Sequence, residues 1–214
     1  MVSPFLWSKG VKRIHTVVLT HAHHDHIAGL NSVIKNFKVD RLWIGQNPST
    51  VEYLSFMKNA IRRGIQVRSF NAGDETCFHG AALSFLNPEN SQPIGTLPSN
   101  NDSLAFRMRY IRRSFLLTGD LEKRIEYRLL GQPWPLASDV LKVAHQGSRS
   151  STTREFLARV NPVIAIISTA QTGPFGHPHV EVLERLGERH IQLYRTDTDG
   201  AVEISTDGSA CCVR

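Results

Sequence analysis

Residues 16–26 read Thr-Val-Val-Leu-Thr-His-Ala-His-His-Asp-His, a run of β-favouring residues followed directly by histidines and an aspartate. Such a run is typical of a buried strand that ends at a cleft. His21 and His23 lie two residues apart and can face one metal ion, whereas Asp25 and His26 follow on a turn and can face a second. Imidazole nitrogens together with carboxylate oxygens suit zinc, manganese or iron. The alternative interpretation is a histidine-rich surface turn.

Two further apolar runs end in a residue of ligand type. Asp120 follows Phe-Leu-Leu-Thr-Gly at 115–119, and His145 follows Val-Leu-Lys-Val-Ala at 140–144. A Gly-Asp pair at a strand end is often only a turn, so Asp120 is a weak signal by itself. His145 ends its strand instead of lying within it, which disfavours an ordinary core histidine. The same pattern of strand and ligand therefore occurs three times in the chain.

Five segments together resemble, in family order, the metallo-β-lactamase superfamily, and specifically the hydrolase domain of ComEC-type DNA-uptake proteins. They are residues 19–30, 101–104, 116–120, 141–148 and 176–179. The resemblance implies two divalent ions, zinc or manganese, with Asp120 shared between them. It assigns His21 and His23 to the first ion and Asp25, His26 and His145 to the second.

The chain departs from the family pattern at two positions. Members with a full site carry another histidine upstream of the shared aspartate, but residues 99–103 read Ser-Asn-Asn-Asp-Ser. The first metal site is therefore expected to be the weaker one. Gln146 stands where the family often has a second histidine after the motif histidine, and activity would suffer if that neighbour moves protons.

The resemblance also suggests roles in catalysis and substrate binding. Asp25 would orient the attacking water while it binds metal, and His177 would act as a general acid or as a phosphate contact. The remaining candidates, which would bind substrate, are Asn101, Ser103, Gly147, Ser148 and Arg149.

The function implied is a metal-dependent hydrolase, a phosphodiesterase or DNA nuclease-like domain that activates water with two ions. One alternative is a small-molecule hydrolase acting on a phosphocholine-type ester, a lactone or a β-lactam, since the fold does not fix the substrate. Another is a catalytically weak DNA-binding remnant. Metal identity, cleavage polarity and oligomeric state stay open.

Composition agrees with a protein of this class. The 214 residues, 41% of them apolar and 21% charged, predict one domain over residues 1–214. The net charge of +6 favours DNA as a partner, because a basic surface attracts phosphate. No apolar run approaches the roughly 20 residues of a membrane span, although family relatives are attached to membrane channels. The expected location is cytoplasmic for this chain alone, or the extracytoplasmic face of the membrane within a longer ComEC-type protein.

Strands that alternate with helices predict an α/β domain, and the resemblance implies the αββα sandwich of the family. Only about a dozen residues precede the first strand, so the N-terminal strands are expected to be missing or reduced. A fragment, completion by a partner or a second copy in a homodimer, and a decayed gene product are the competing explanations. Gly29 is interpreted as permitting close backbone packing, and a helical stripe of Val51, Leu54, Met57 and Ile61 is predicted to be core.

Overall fold

The run 13–19 that precedes the histidines forms a strand, β1 (Arg13–Leu19), with Val17 and Leu19 buried. The computed structural model describes residues 2–91, 93–170 and 176–214. They divide into two compact units. The N-terminal unit contains residues 1–71 and 87–104, and the C-terminal unit contains residues 72–86 and 105–214.

The N-terminal unit contains one parallel sheet with helices. Besides β1, its elements are α1 (Val2–Ser8), α2 (His24–Asn36), β2 (Lys38–Ile44), α3 (Val51–Arg62) and β3 (Gln66–Ser69). The strands of this sheet run in the order β1-β2-β3, so β1 is an edge strand among the described residues. Leu19, Ile27, Leu42 and Phe56 are among the fully buried side chains of its core. This core contains residues of the N-terminal unit alone.

Helix α2 begins at His24, three residues before the start that its apolar periodicity predicts. Asp25 and His26 therefore lie in the first turn of a helix and not on a separate turn. The interpretation of Gly29 is wrong: a Cβ built at this position meets nothing within 4 Å. Gly29 lies in a helix with open space around it, so no close backbone approach requires it.

Helix α3 packs on a different face from the one predicted. Val51 is 88% exposed and Ile61 is 64% exposed, whereas Tyr53, Phe56 and Ala60 are buried. Both sets have helical spacing, so periodicity alone cannot choose between them. The set with the two aromatic rings buries more apolar area. The predicted core stripe is thus a partly exposed face, on which Leu54 is also exposed.

The C-terminal unit is built on a mixed seven-stranded sheet. Its strands are β4 (Glu75–Phe78), β5 (Ala81–Asn87), β6 (Ala105–Tyr110), β7 (Arg113–Leu117), β8 (Val140–Lys142), β9 (Ile164–Ile167) and β10 (Gln192–Arg195). They lie in the order β10-β9-β8-β7-β6-β5-β4. The strands β7, β8, β9 and β10 are parallel neighbours, and β4–β5 and β6–β7 are antiparallel pairs. A separate antiparallel ribbon pairs β11 (Ile204–Thr206) with β12 (Cys211–Val213).

Three helices cover the core of this unit: α4 (Lys123–Leu130), α5 (Arg154–Val160) and α6 (Val180–Gly187). Leu121, Ile125 and Leu129 are buried, as their spacing predicts. The Thr153 side chain accepts the Phe156 N–H at 3.3 Å and so caps α5. The core of the C-terminal unit likewise contains residues of that unit alone.

The α/β class is confirmed by these elements. Among the described residues no helix combines the length and apolar character needed to cross a membrane. The prediction of a single domain over residues 1–214 stays a prediction.

Candidate functional site

The predicted site residues fall into two sets, one in each unit. The N-terminal set consists of His21, His23, Asp25, His26, Asn101 and Ser103. The C-terminal set consists of Asp120, His145, Gly147, Ser148, Arg149 and His177.

His21 is fully buried directly after β1, with both ring nitrogens in polar contact. Its Nδ1 lies 3.2 Å from the hydroxyl of Thr20 and 3.2 Å from that of Ser103. Its Nε2 lies 2.9 Å from Nδ1 of His23. Two hydroxyls therefore fix the orientation of the ring and direct Nε2 towards the next histidine.

His23 is oriented from its far side. Its Nε2 lies 3.1 Å from the carbonyl oxygen of Pro98, which can only accept a hydrogen bond. We therefore assign the proton to Nε2, which leaves a lone pair on Nδ1 facing His21. Two nitrogen ligands of one tetrahedral zinc ion lie roughly 3.3 Å apart, given Zn–N distances near 2.0 Å. The separation of 2.9 Å is a hydrogen-bond distance and is slightly shorter than that geometry, so a small movement of either ring would let both nitrogens bind one cation.

His26 and Asp25 lie beside this pair in the first turn of α2. The ring centroids of His21 and His26 are 4.2 Å apart, and Nδ1 of His26 lies 3.3 Å from the Thr20 hydroxyl. Asp25 places a carboxylate oxygen 3.8 Å from Nε2 of His26, and its side chain is 63% exposed. His24 faces another direction and contacts Glu52 at 2.7 Å. Three imidazoles and one carboxylate are thus brought together.

Asn101 and Ser103 are buried in the segment after β5. The Asn87 side chain donates to the carbonyl oxygens of both residues, at 3.0 and 2.7 Å. The Leu104 N–H donates to the Thr20 carbonyl oxygen at 2.7 Å, which ties this segment to the end of β1. The hydroxyl of Ser103 contacts Nδ1 of His21. Contact of Ser103 and Asn101 with substrate stays a prediction.

Asp120 opens the C-terminal set in a buried position after β7. Gly119 has a φ of +56°, a left-handed conformation that places the carboxylate at the end of the strand. The Lys142 ammonium lies 4.0 Å from a carboxylate oxygen of Asp120 and 3.4 Å from the Gly119 carbonyl oxygen. Burial lowers the pKa of Lys142, while Asp120 raises it.

His145 lies in a tight turn held by backbone contacts. His145, Gln146 and Gly147 all have positive φ, of 47°, 54° and 82°. The His145 N–H donates to the Gly119 carbonyl oxygen at 3.3 Å, and Glu122 places a carboxylate oxygen 3.9 Å from its Nδ1. Gly147 is required because a Cβ there would lie 2.7 Å from Cβ of Pro178. The turn therefore sets His145 beside the carboxylate strand end.

His177 stands next to His145, with ring centroids 5.5 Å apart in an edge-to-face arrangement. Burial lowers the pKa of His177, as do His145 and His179, whereas Asp120 raises it. Ser148 is buried and contacts the Ser150 hydroxyl at 3.1 Å. Arg149 is exposed, with Glu181 4.0 Å away. The C-terminal set thus combines a buried carboxylate, two imidazoles and an accessible cation.

Sequence reasoning missed two residues of this set. Lys142 is a charged residue inside an apolar strand, and that signal could have singled it out. Glu122, two residues after Asp120, carries no motif of its own. Only the fold brings it towards His145.

Comparison with known proteins agrees with these features. The family profile of the metallo-beta-lactamase superfamily matches residues 1–171. ComE operon protein 3 of Bacillus subtilis is 35% identical over 94% of this chain and 26% of its own length. Recombination protein 2 of Haemophilus influenzae is 30% identical over 95% of this chain and 24% of its own. Competence protein ComA of Neisseria gonorrhoeae is 29% identical over 95% of this chain and 27% of its own.

These relatives are ComEC-type competence proteins, and the chain spans about a quarter of their length. Among solved structures, the metallo-beta-lactamase fold protein YhfI from Bacillus subtilis aligns with a TM-score of 0.53. The alignment covers 91% of this chain and 79% of that one at 13% identity, so it supports the fold alone.

Proposed function

The chain belongs to the metallo-β-lactamase superfamily, and from that premise we propose that it is a phosphodiesterase that acts on DNA with two divalent ions. The superfamily makes it a metal-dependent hydrolase in general. The phosphodiester substrate, DNA and the dinuclear centre are our proposal. The single observation that carries the metal part is the pair of nitrogens of His21 and His23, which face each other at 2.9 Å.

The proposed centre draws on both residue sets. One ion would be held by His21, His23 and Asp120, and the other by Asp25, His26, His145 and the shared Asp120. The donor set of imidazoles and carboxylates suits zinc or manganese. Such ions would polarise the phosphoryl group and make water a nucleophile at neutral pH. Two of the ligands, His21 and Asp120, are buried, which favours strong electrostatic interaction with a cation.

The surrounding residues would bind and orient a phosphodiester. Asp25 is exposed and can accept a proton from an attacking water. Arg149 is also exposed and can pair with a phosphate oxygen. Ser148 and Gly147 lie on the same turn as His145 and would complete the phosphate contacts. His177, beside His145, would donate to the phosphate or to the leaving oxygen.

DNA as the substrate is supported by two observations. The similarity to competence proteins extends over 94–95% of this chain for the first two relatives. The net charge of +6 favours association with a phosphate backbone. Neither observation supports a β-lactam, a lactone or a phosphocholine ester as substrate. Those compounds are therefore the alternative substrates in the test.

The test measures metal content and cleavage on the purified chain. We expect about two ions per chain after manganese loading, and manganese-stimulated cleavage of linear and supercoiled DNA. Asp120→Asn should abolish cleavage and reduce metal content. Asp74→Asn, which changes an exposed aspartate in the same unit, is the matched control and should behave like the wild type.

Three outcomes would contradict parts of the proposal. Full activity of Asp120→Asn would exclude the shared carboxylate. Turnover of a chromogenic β-lactam without cleavage of DNA would establish a small-molecule hydrolase. Retention of DNA on a shift gel without cleavage, at less than one ion per chain, would establish a binding remnant.

A further inference from the structure

Helix α4 buries a carboxylate that the proposed chemistry does not use. Glu126 is only 1% exposed, and its two oxygens accept the backbone N–H groups of Thr152 and Thr153 at 2.5 and 2.9 Å. A buried carboxylate is costly unless it is fully hydrogen-bonded. Burial raises the pKa of Glu126, while the two N–H groups and Arg185 lower it. Both oxygens are thus committed to one short stretch of backbone.

Arg185 of α6 binds carbonyl groups of the same stretch. Its guanidinium donates to the carbonyl oxygens of Ser151 and Thr152, at 3.1 and 3.2 Å. The side chain is 18% exposed and also contacts Glu181. Glu126 accepts hydrogen bonds from the N–H groups, and Arg185 donates hydrogen bonds to the carbonyl groups. Two side chains of opposite charge therefore bind the same stretch of backbone. We call Glu126 and Arg185 the charge clamp.

The backbone inside the clamp is in an unfavourable conformation. Thr152 has a φ of +59° and is 1% exposed. A β-branched residue rarely adopts the left-handed region, because its Cβ substituents crowd the backbone. Such conformations persist only where surrounding contacts impose them, and they concentrate near functional sites. The clamp supplies those contacts.

The held residues belong to the segment that begins at His145. Between His145 and Thr152 lie Ser148 and Arg149, the residues assigned above to phosphate. The first turn of this segment is fixed independently, by the bond from His145 to Gly119 and by the packing of Gly147 on Pro178. Loss of the clamp should therefore move Ser148 and Arg149 more than His145.

We propose that Glu126 is a positioning residue, which together with Arg185 fixes the segment 145–153 so that Ser148 and Arg149 meet the substrate phosphate. The substrate part rests on the proposed function. The positioning of the segment does not, because it depends on contacts within the C-terminal unit alone.

The test compares Glu126→Gln with Glu184→Gln. Glutamine keeps the shape of the side chain but leaves only one acceptor oxygen, so one of the two N–H bonds is lost. Glu184 is an exposed glutamate of α6 next to Arg185, and its replacement makes the same chemical change. Arg185→Met removes the other half of the clamp while it keeps an apolar stem.

Three readouts are taken on the full chain: hydrogen exchange of the 145–153 peptide, metal content, and kcat and KM with a chromogenic phosphodiester. Glu126→Gln and Arg185→Met should each raise local exchange about tenfold, the factor expected for loss of a charge-assisted hydrogen bond. KM should rise about tenfold, with kcat within about twofold and metal content unchanged. Glu184→Gln should match the wild type in every readout.

Two results would overturn the proposal. Unchanged exchange in both clamp variants would show that the clamp does not hold the segment. Raised exchange with unchanged KM would show that the segment is held for stability alone. A wild-type chain that hydrolyses no phosphodiester would instead refute the proposed function and with it the substrate role of Glu126, while the exchange measurement would still decide whether Glu126 holds the segment.

Discussion

The hydroxyl of Ser103 lies 3.2 Å from Nδ1 of His21, although 82 positions separate the two residues in sequence. The segment after β5 thus returns to the end of β1 and orients the first histidine of the motif. In metal sites, a partner on the far ring nitrogen sets the direction of the nitrogen that binds the ion. Ser103 therefore contributes to the proposed centre without being a ligand.

Replacement of Ser103 by alanine should weaken metal binding. Loss of a partner behind a metal-binding histidine typically costs about 10–100-fold in affinity, and the Thr20 hydroxyl, which also contacts Nδ1, should keep the loss near the lower value. Competition with a fluorescent chelator would measure it. Ser205→Ala, at an exposed position of β11, is the control. Equal affinity in both variants would show that Thr20 alone orients His21.

Replacement of Gly147 by alanine should destabilise the chain. The added Cβ would lie 2.7 Å from Cβ of Pro178, at a φ of +82°. Overpacking and left-handed strain together should lower the free energy of unfolding by about 2–4 kcal/mol. Gly29→Ala, in open space within α2, should raise it by about 0.5–1 kcal/mol. Urea denaturation would measure the free energy of unfolding of both variants. An unchanged value for Gly147→Ala would mean that the segment around Pro178 moves to make room for the added Cβ.

Replacement of Lys142 by methionine should reduce kcat without loss of bound metal. The ammonium lies 4.0 Å from the Asp120 carboxylate, so it adds positive charge where the phosphoryl group would develop negative charge. We expect about a tenfold decrease in kcat, equivalent to 1.4 kcal/mol of transition-state stabilisation. Removal of a cation should leave metal affinity equal or higher. Lys142→Arg, which keeps the positive charge, is the comparison. If Lys142→Met lost metal and Lys142→Arg did not, the lysine would be needed to assemble the metal site.

The carboxylate of Asp139 should make stability depend on acid pH. Burial raises the pKa of Asp139, but the Arg113 guanidinium and the Ser114 N–H and hydroxyl outweigh that effect and hold the pKa below its usual value. A lowered folded-state pKa gives stability that is present above the unfolded-state pKa, near 3.9, and is lost as the pH falls further. Asp139→Asn should cost about 1–3 kcal/mol at pH 7.

The difference between Asp139→Asn and the wild type should shrink below about pH 4, where the carboxylate becomes protonated first in the unfolded chain and, at still lower pH, in the folded one. Thermal unfolding at pH 7, 5 and 3 would measure it. Asp74→Asn is the matched control. A difference that stays constant over this range would show that the hydrogen-bonding shape of Asp139 matters and its charge does not.

The ends of the apolar strands could be predicted because chemistry and periodicity coincide there. Val17 and Leu19 precede His21, and the strand that they predict ends at Leu19, two residues before the histidine. Local signals of this kind do not depend on the rest of the chain.

Other features depended on contacts between distant positions. The face of α3 that packs inward was mispredicted because two apolar stripes share the same spacing, and only the core selects Phe56 over Val51. Glu126 looks like an ordinary helical glutamate in the sequence. Its burial follows from backbone N–H groups that lie 26 and 27 positions away. Such pairings leave no local pattern.

The two separate cores have a thermodynamic consequence for how the chain unfolds. Among the described residues, each core draws on the residues of one unit alone. A chain with more than one core is not bound to a single two-state transition. We therefore expect each unit to have its own free energy of unfolding, so that a calorimetric trace of the chain contains more than one transition.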